Sequence, residues 1–177
     1  AVLTITPDDQ SKVYGETLTF AGTEFTSGGL LLSDTLTSVS LTSDGTAAAS
    51  GVADSPYDII IVSGSETGSG LDNYEIVRGT GALELTPASA TVTVSDQSKT
   101  YGDAFTFAGT EFTVAGLVNG DTLDSLTLSS AGAAATAGVA DSPYEITGTD
   151  PVGSGVENNY TFDFTPGSFD VAAKPLP

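Results

Sequence analysis

The chain has 177 residues, which suits one or two domains of ordinary size. Four Lys and Arg residues stand against 23 Asp and Glu residues, and the resulting net charge of −19 argues against binding to nucleic-acid phosphates or anionic membranes. The absence of His and Cys removes the common zinc sites, cysteine nucleophiles, Ser-His-Asp triads and disulfides. No apolar run approaches the roughly 18 residues that a membrane helix needs, so direct membrane insertion is not expected.

The chain consists of one unit that occurs twice. Residues 9–57 and 96–144 align without a gap at an offset of 87, and 32 of these 49 positions are identical, including FAGTEF at 20–25 and GVADSPY at 51–57. This offset suits a self-contained domain better than a solenoid repeat. The predicted domains are 1–87 and 88–174, and 175–177 are the start of a following repeat, so we expect the chain to be part of a longer array.

Period-two alternation of apolar residues predicts a mainly β fold. In the first unit the predicted strands cover 2–6, 18–25, 39–41, 57–62, 74–77 and 81–85. The second unit repeats this pattern, with a shorter fourth strand at 144–146, and the last two strands of each unit are expected to form a hairpin. One short helical turn is favoured at 29–33 and 116–119, although Asn119-Gly120 also has the composition of a tight turn.

The sharpest local motif is Asp-Gln-Ser-Lys followed by Tyr-Gly, which is present in both units. One interpretation is a ligand loop for a sugar or an ion. The favoured interpretation is a structural turn in which Tyr packs and Gly takes a positive φ. The residues concerned are Lys12, Tyr14, Gly15, Lys99, Tyr101 and Gly102.

Calcium is the one cofactor for which the sequence offers candidates, because Ca²⁺ prefers oxygen ligands. The nearest approaches to a cluster are Asp8, Asp9, Asp72 and Asn73. No EF-hand loop and no Gly/Asp nonapeptide repeat is present. A solvated acidic surface is therefore the favoured interpretation, and no cofactor is expected.

Lys12 and Lys99 are two of only four cations, and the sequence offers two kinds of partner for them. A covalent Lys–Asn bond to Asn73 or Asn159 is one alternative, and an ordinary salt bridge is favoured. Paired carboxylates could in principle perform acid–base catalysis. Nothing in the sequence marks any such pair, so we do not expect an enzyme.

An ordered set of motifs resembles the MBG domain in its Tyr-Gly variety. The second unit carries DQSKTYGD at 96–103, GLVNGDTL at 116–123, SPYEI at 142–146 and NYTF to PGSFDV at 159–171. The first unit departs at 29–36, where LLLSD replaces LVNGD. The resemblance implies tandem modules of large bacterial surface proteins and adhesins, with a small β-grasp-like fold; an immunoglobulin-like β-sandwich is the alternative. It implies no catalytic or binding residues.

These observations predict a structural extender, or stalk, of an extracellular bacterial adhesin that takes part in cell adhesion and biofilm formation. Its expected partners are neighbouring repeats of the same chain, and it is expected to be a monomer. The alternative is an adhesive module that binds a glycan or another surface ligand near Tyr14 and Tyr101. Buried Tyr rings favour the stalk, whereas exposed rings in a groove favour the glycan site.

Overall fold

The computed structural model describes residues 1–176 and divides the chain into two compact units, Ala1–Pro87 and a second that begins at Ala88. The predicted mainly β fold with two tandem β-rich domains is confirmed. Among residues 1–176, the helical segments are four 3₁₀ turns of three residues each: Asp44–Thr46, Val52–Asp54, Leu71–Asn73 and Ala131–Ala133. The finer β-grasp-like assignment stays a prediction. Of the predicted stub at 175–177, Pro177 lies outside the described residues.

The first unit folds into two small mixed sheets and a two-stranded ribbon. The sheets have the strand orders β3-β1-β8 and β2-β9-β6-β5, and β4 pairs with β7 in the ribbon. The strands are β1 (Val2–Pro7), β2 (Gln10–Val13), β3 (Phe25–Gly28), β4 (Thr35–Ser38), β5 (Leu41–Thr42), β6 (Tyr57–Ile61), β7 (Thr67–Ser69), β8 (Glu75–Arg78) and β9 (Gly81–Thr86).

The second unit repeats this plan with the orders β12-β10-β15 and β11-β16-β14-β13. Its described strands are β10 (Ala88–Val94), β11 (Gln97–Thr100), β12 (Phe112–Ala115), β13 (Thr122–Ser129), β14 (Tyr144–Ser154), β15 (Tyr160–Thr165) and β16 (Gly167–Ala172). Here β13 and β14 pair along most of their length, with two register shifts. The fourth strand, predicted to be short, is therefore the longest strand described, because β13 offers it a continuous partner.

The last two strands of each unit do not form the predicted hairpin. In the first unit β8 pairs in parallel with β1 in one sheet, and β9 pairs in parallel with β2 in the other. The chain passes from the first sheet to the second between β1 and β2, and again between β8 and β9, and these two connections lie side by side. There Gly79 N–H donates to Ile5 O at 2.7 Å and Ala82 N–H donates to Asp9 Oδ1 at 2.8 Å. A Cβ at Gly81 would lie 2.7 Å from Pro7 O, so this close approach of two backbones requires glycine.

The core of the first unit lies between its two sheets. Strand β1 alternates exposed and buried residues and places Leu3 and Ile5 inside, as its sequence predicts. Ile61 of β6, in the other sheet, belongs to the same apolar cluster, and an adjoining cluster contains Leu83 and Leu85 of β9. Burial of one face of each sheet is thus what holds the two sheets together.

The core described for the second unit is more aromatic than that of the first. Phe169 of β16, at the position of Leu83, is fully buried, and the rings of Phe105 and Phe107 meet it edge to face at centroid distances of 5.1 and 6.1 Å. This geometry is favoured by the aromatic quadrupoles. The same buried cluster includes Val92, Val94, Leu126, Leu128 and Ile146.

The predicted second strand at 18–25 is wrong over most of its length, because only β3 from Phe25 is a strand. The Leu18 N–H donates across a loop to Thr46 O at 3.0 Å, and the N–H groups of 21–23 bind a carboxylate described below, so these groups do not join a ladder. The predicted strand at 39–41 is also interrupted, since Val39 N–H donates to Gly22 O at 2.9 Å. Conversely, Gln10–Val13, predicted as part of a turn, is strand β2.

The helical turns predicted at 29–33 and 116–119 are wrong, and the alternative tight turn is correct. Gly29 and Gly116 have φ of 101° and 95°, which no right-handed helix contains. In the second unit Asn119 and Gly120 have φ of 57° and 78°, the positive pair that a type I′ turn requires. Asp121 N–H closes this turn on Val118 O at 2.9 Å.

Candidate functional site

The Tyr-Gly motif forms the same turn in both units, at the end of β2 and of β11. In the first unit Tyr14 N–H donates to Thr86 O at 2.9 Å and Gly15 N–H donates to Ala48 O at 3.1 Å. Gly15 has a φ of 91°, positive as the sequence predicts. These backbone hydrogen bonds therefore tie the end of β2 to the last strand and to the alanine-rich loop at 47–49.

In the second unit the corresponding donors reach Ala172 O at 2.8 Å from Tyr101 and Ala135 O at 3.2 Å from Gly102. Gly102 has a φ of 94°. The two rings differ in exposure, however, because Tyr14 is 5% exposed and Tyr101 is 46% exposed. The exposure of these rings therefore does not decide between the stalk and the glycan site. The buried ring of Tyr14 favours the stalk, whereas the half-exposed ring of Tyr101 favours the glycan site.

Lys12 lies in a cradle of backbone carbonyls and forms neither the predicted salt bridge nor a covalent link to Asn73. Its ammonium donates to Glu16 O at 2.8 Å and to Ala47 O, and the residue is 6% exposed. Burial lowers the pKa of Lys12, and the nearby charge of Glu16 partly opposes this. Asn73 Nδ2 donates instead to Gly70 O at 3.0 Å.

Lys99 repeats this arrangement in a more exposed setting. Its ammonium donates to Asp103 O at 2.9 Å and to Ala134 O. The amide of Asn159, the alternative covalent partner, donates to Gly155 O at 2.9 Å. Both lysines thus satisfy carbonyls of the alanine-rich loop, which the spacing of charges along the sequence could not reveal.

The four calcium candidates do not come together. Asp8 and Asp9 follow the last residue of β1, whereas Asp72 and Asn73 lie beside its start, where Glu75 pairs with Val2. Six strand residues at roughly 3.3 Å each separate the two pairs by about 20 Å. The described part of the chain, residues 1–176, contains no group of three or more acidic side chains arranged to hold a metal.

The FAGTEF motif forms a carboxylate-binding loop that the sequence analysis missed. The carboxylate of Glu24 accepts hydrogen bonds from the N–H groups of three successive residues, Ala21, Gly22 and Thr23, at 2.7, 2.8 and 3.0 Å. These bonds, that from Ala21 above all, lower the pKa of Glu24, although burial opposes them. Successive N–H groups of this kind form a nest for an anion, and here the chain supplies its own.

Glu111 occupies the same nest in the second unit, with bonds from Ala108, Gly109 and Thr110 at 2.7, 2.9 and 3.0 Å. Burial acts to raise the pKa of Glu111, but the bonds from the backbone outweigh it and hold the pKa below its usual value. The signal in the sequence was the identity of all six residues of the motif in both units.

A tyrosine–aspartate contact closes the other end of each unit and was also missed. The hydroxyl of Tyr74 donates to Asp34 Oδ2 at 2.9 Å and accepts from Leu31 N–H at 2.7 Å. Burial is the main cause that raises the pKa of Tyr74. Gly70, with a φ of 72°, lies against this carboxylate, and a Cβ there would collide with Asp34.

The second unit repeats the contact with the equivalent residues. The hydroxyl of Tyr160 donates to Asp121 Oδ2 at 2.7 Å and accepts from Val118 N–H at 2.9 Å. Like the nests and the lysine cradles, this contact joins a side chain to a loop of its own unit. The arrangement of repeated polar residues therefore fixes loops onto sheets.

A tyrosine at the start of β6 and of β14 fixes the segment that precedes each strand. Tyr57 begins β6, and its hydroxyl donates to Gly51 O at 2.7 Å; Tyr144 makes the same contact with Gly138 O at 2.8 Å. Burial raises the pKa of Tyr57. In the first unit an ion pair also joins Arg78 to Glu66, with 2.5 Å between Nε and Oε1.

Comparison with known families identifies both units. The family model of the MBG domain (YGX type) matches residues 3–84 and 90–170. The chain belongs to the MBG domain family. No curated protein and no solved structure matches the chain.

Tandem MBG repeats are typical of bacterial surface proteins, and the family is a structural, adhesin-type domain. The Tyr-Gly pair that gives this MBG type its name is the turn at Tyr14 and Tyr101 described above. Within residues 1–176, none of the helical segments has the length or apolar character to cross a bilayer.

Proposed function

We propose that the chain is a spacer segment of an extracellular bacterial adhesin, which holds a binding region away from the cell surface. One observation carries this proposal: two complete MBG units, each with its own core, follow one another with a single residue between their strands. Strand β9 ends at Thr86 and β10 begins at Ala88, so Pro87 is the whole connection. A spacer gains length most efficiently from complete domains joined without long linkers.

The chemistry of Pro87 favours an extended connection. The pyrrolidine ring fixes the φ of Pro87, and it also disfavours the helical region for Thr86. One residue leaves little slack for the chain to double back. The two units carry charges of −10 (2 minus 12) and −9 (2 minus 11), which oppose side-by-side packing of their surfaces.

The repeated polar contacts support the same proposal. Lys12, Glu24 and Tyr74 each bind backbone groups of their own unit, and so do their counterparts in the second unit. Side chains used in this way stabilise loops at the ends of a module. A spacer needs such stability, because it transmits load while binding nothing itself.

Small-angle X-ray scattering of the full chain tests the proposal. Each unit of about 87 residues has an expected radius of gyration of about 12 Å, so two units in line should span about 70–80 Å. The matched control carries a flexible Gly/Ser insertion after Pro87, which should broaden the distance distribution. A compact, near-spherical distribution for the parent chain would contradict the spacer function.

The glycan-binding alternative rests on one observation, the half-exposed ring of Tyr101. Aromatic faces can stack on sugars, but the equivalent Tyr14 is buried, so such a site would exist in one unit only. A glycan array with the parent chain and a Tyr101→Ser variant decides between the two functions. A hit that disappears in the variant would establish an adhesive module and remove the basis for a purely structural role.

A further inference from the structure

The first and last segments of each unit run side by side through both of its sheets. In the first unit β1 pairs with β8 and β2 pairs with β9, in parallel in both cases. Partners are 73 residues apart in both ladders, as for Val2 and Glu75 (75 minus 2) and for Val13 and Thr86 (86 minus 13). The register is therefore unbroken across the corner between the sheets, and the two segments form one continuous parallel pair with a bend in it.

The second unit keeps this arrangement with a longer ladder. Strand β10 pairs with β15 over six residues and β11 pairs with β16 over four. Partners are 72 residues apart in both ladders, as for Ala88 and Tyr160 (160 minus 88) and for Thr100 and Ala172 (172 minus 100). We call these paired segments, β1–β2 with β8–β9 and β10–β11 with β15–β16, the parallel clamp of their unit.

The two ends of each unit lie at opposite ends of its parallel clamp. In the first unit β1 begins at Val2 and β9 ends at Thr86, and in the second β10 begins at Ala88 and β16 ends at Ala172. Tension along the chain therefore pulls two parallel neighbours in opposite directions along their own axes. The ladder bonds of a parallel pair are evenly spaced along the strands, so sliding loads them together, whereas peeling breaks them one at a time.

Each segment of the parallel clamp is also bonded to a strand outside it. Strand β1 is the middle strand of its sheet, between β3 and β8, and β9 lies between β2 and β6 in the other sheet. In the second unit β10 and β16 hold the same positions. Neither segment can therefore slide out of its unit without breaking the clamp and a further ladder.

Burial opposes sliding as well. Leu3 and Ile5 of β1 and Leu83 of β9 are fully buried, and so are Val92 and Phe169 at the corresponding places in the second unit. A change of register by one residue would turn the buried side chains of a strand to the opposite face of the sheet. The nearest slipped register is therefore unfavourable, and the strands remain in place until the whole contact breaks.

We propose that the parallel clamp makes each unit resist unfolding by tension along the chain. The biological use of this resistance rests on the proposed spacer function, because a spacer between a cell and a bound surface carries tension through all of its units in series. The resistance itself depends only on the topology inside each unit. It is therefore a property of direction, high when the ends of a unit are pulled and low when the clamp is peeled.

Single-molecule force spectroscopy of the full chain in two pulling geometries tests the proposal. The chain contains no Cys, so cysteines can be introduced as attachment points. Ser89→Cys with a cysteine added after Pro177 pulls on opposite ends of the second clamp. Asp103→Cys with the same added cysteine pulls on neighbouring ends of β11 and β16, because Asp103 follows Thr100, whose partner is Ala172. Ser89 and Asp103 are both exposed, so neither replacement disturbs the core.

We expect the second unit to unfold at a several-fold higher force when it is pulled through residue 89 than when it is pulled through residue 103, at the same pulling speed. The first unit lies outside both pairs of attachment points and stays unloaded. Equal unfolding forces in the two geometries would overturn the proposal.

Two core variants separate the parallel clamp from general stability. Val92 lies on β10 within the clamp, whereas Leu128 lies on β13, an edge strand that pairs with β14. Both side chains belong to the same buried cluster. Leu128→Ala removes the larger side chain and should lower the urea midpoint at least as much, yet Val92→Ala should cause the larger fall in unfolding force through residue 89. Forces that follow the urea midpoints instead would assign the resistance to the core as a whole and contradict the proposal.

These measurements are independent of how the two units are arranged. A compact distance distribution in small-angle scattering would contradict the spacer function and leave the forces within the second unit unchanged. Equal forces in the two pulling geometries would remove the parallel clamp, whereas the spacer function would still be decided by the scattering result.

Discussion

Glu111 accepts a hydrogen bond of 2.9 Å from the N–H of Gly109, two residues earlier in the chain, and Glu24 accepts one of 2.8 Å from Gly22 in the same way. Each carboxylate thereby neutralises the partial positive charge of a nest that the backbone forms. Hydrogen bonds to a charged acceptor are stronger than those between neutral groups. The two contacts should therefore make a measurable, pH-dependent contribution to the stability of each unit.

We predict that Glu111→Gln destabilises the second unit by about 1–2 kcal/mol at pH 7, because a neutral amide accepts these bonds less well. The pKa of Glu111 is lowered from 4.5 in the folded state, so its contribution is complete above the unfolded value and is lost as the pH falls through the folded pKa. The difference between parent and variant should shrink accordingly below pH 4.5. Urea unfolding followed through amide signals of the second unit, from neutral to acid pH, measures it.

The control for this experiment is Glu145→Gln, which neutralises an exposed acid on β14 of the same unit. It should leave stability nearly unchanged or raise it slightly, since it reduces the negative charge. If both variants lose the same stability at pH 7, the loss does not come from the nest.

Gly102→Ala tests the Tyr-Gly turn. Gly102 has a φ of 94°, and a Cβ there would meet only Lys174 Nζ at 4.0 Å, so backbone strain is the main cost. That strain is roughly 1–2 kcal/mol for a residue with a Cβ. Gly138→Ala is the matched control, because a Cβ at Gly138 meets nothing within 4 Å and no positive φ is involved. Thermal unfolding should separate the two variants, and equal melting temperatures would refute the strain argument.

Tyr160→Phe tests the tyrosine–aspartate contact. The variant removes a 2.7 Å bond to Asp121 and the acceptor for Val118 N–H, while the buried ring remains. We expect a loss of about 1–3 kcal/mol, as for other buried groups that lose a hydrogen-bond partner. Tyr101→Phe, at a half-exposed ring, should cost much less. Hydrogen exchange resolved by unit would show whether the turn at Asn119 opens first in the variant.

The features predictable from the sequence were those that depend on neighbouring residues. Alternation in β1 predicted the burial of Leu3 and Ile5, and the position of Gly102 after Tyr101 predicted its positive φ. These signals are local, because a strand exposes every second residue and a left-handed turn favours glycine. The MBG resemblance added the order of the motifs.

The features that sequence could not predict depend on contacts between distant segments. The spacing of β8 and β9 is that of a hairpin. The two strands lie in different sheets because they pair with β1 and β2, some 70 residues earlier in the chain. Lys12 reaches Ala47 O across 35 residues, which no charge pattern indicates. The composition of FAGTEF predicts a strand. In the structure its glutamate binds backbone N–H groups that a strand would donate to a neighbouring strand.

Ionic strength should stabilise the whole chain, since its carboxylates outnumber its cations by 23 to 4. The ammonium groups of Lys12 and Lys99 face carbonyls, and Arg78 pairs with Glu66, so the cations do little to offset the acidic surface. Repulsion between exposed carboxylates therefore opposes folding at low salt and is screened within a Debye length of about 10 Å at 0.1 M. We predict a melting temperature that rises steadily with NaCl, and one that is the same at low and high NaCl would contradict this account.

CaCl2 and MgCl2 at equal ionic strength provide the control, because screening treats both alike. A much larger rise with Ca²⁺ than with Mg²⁺ would reveal a specific site, which Asp9→Asn and Asp72→Asn variants would then assign to one end of β1 or the other.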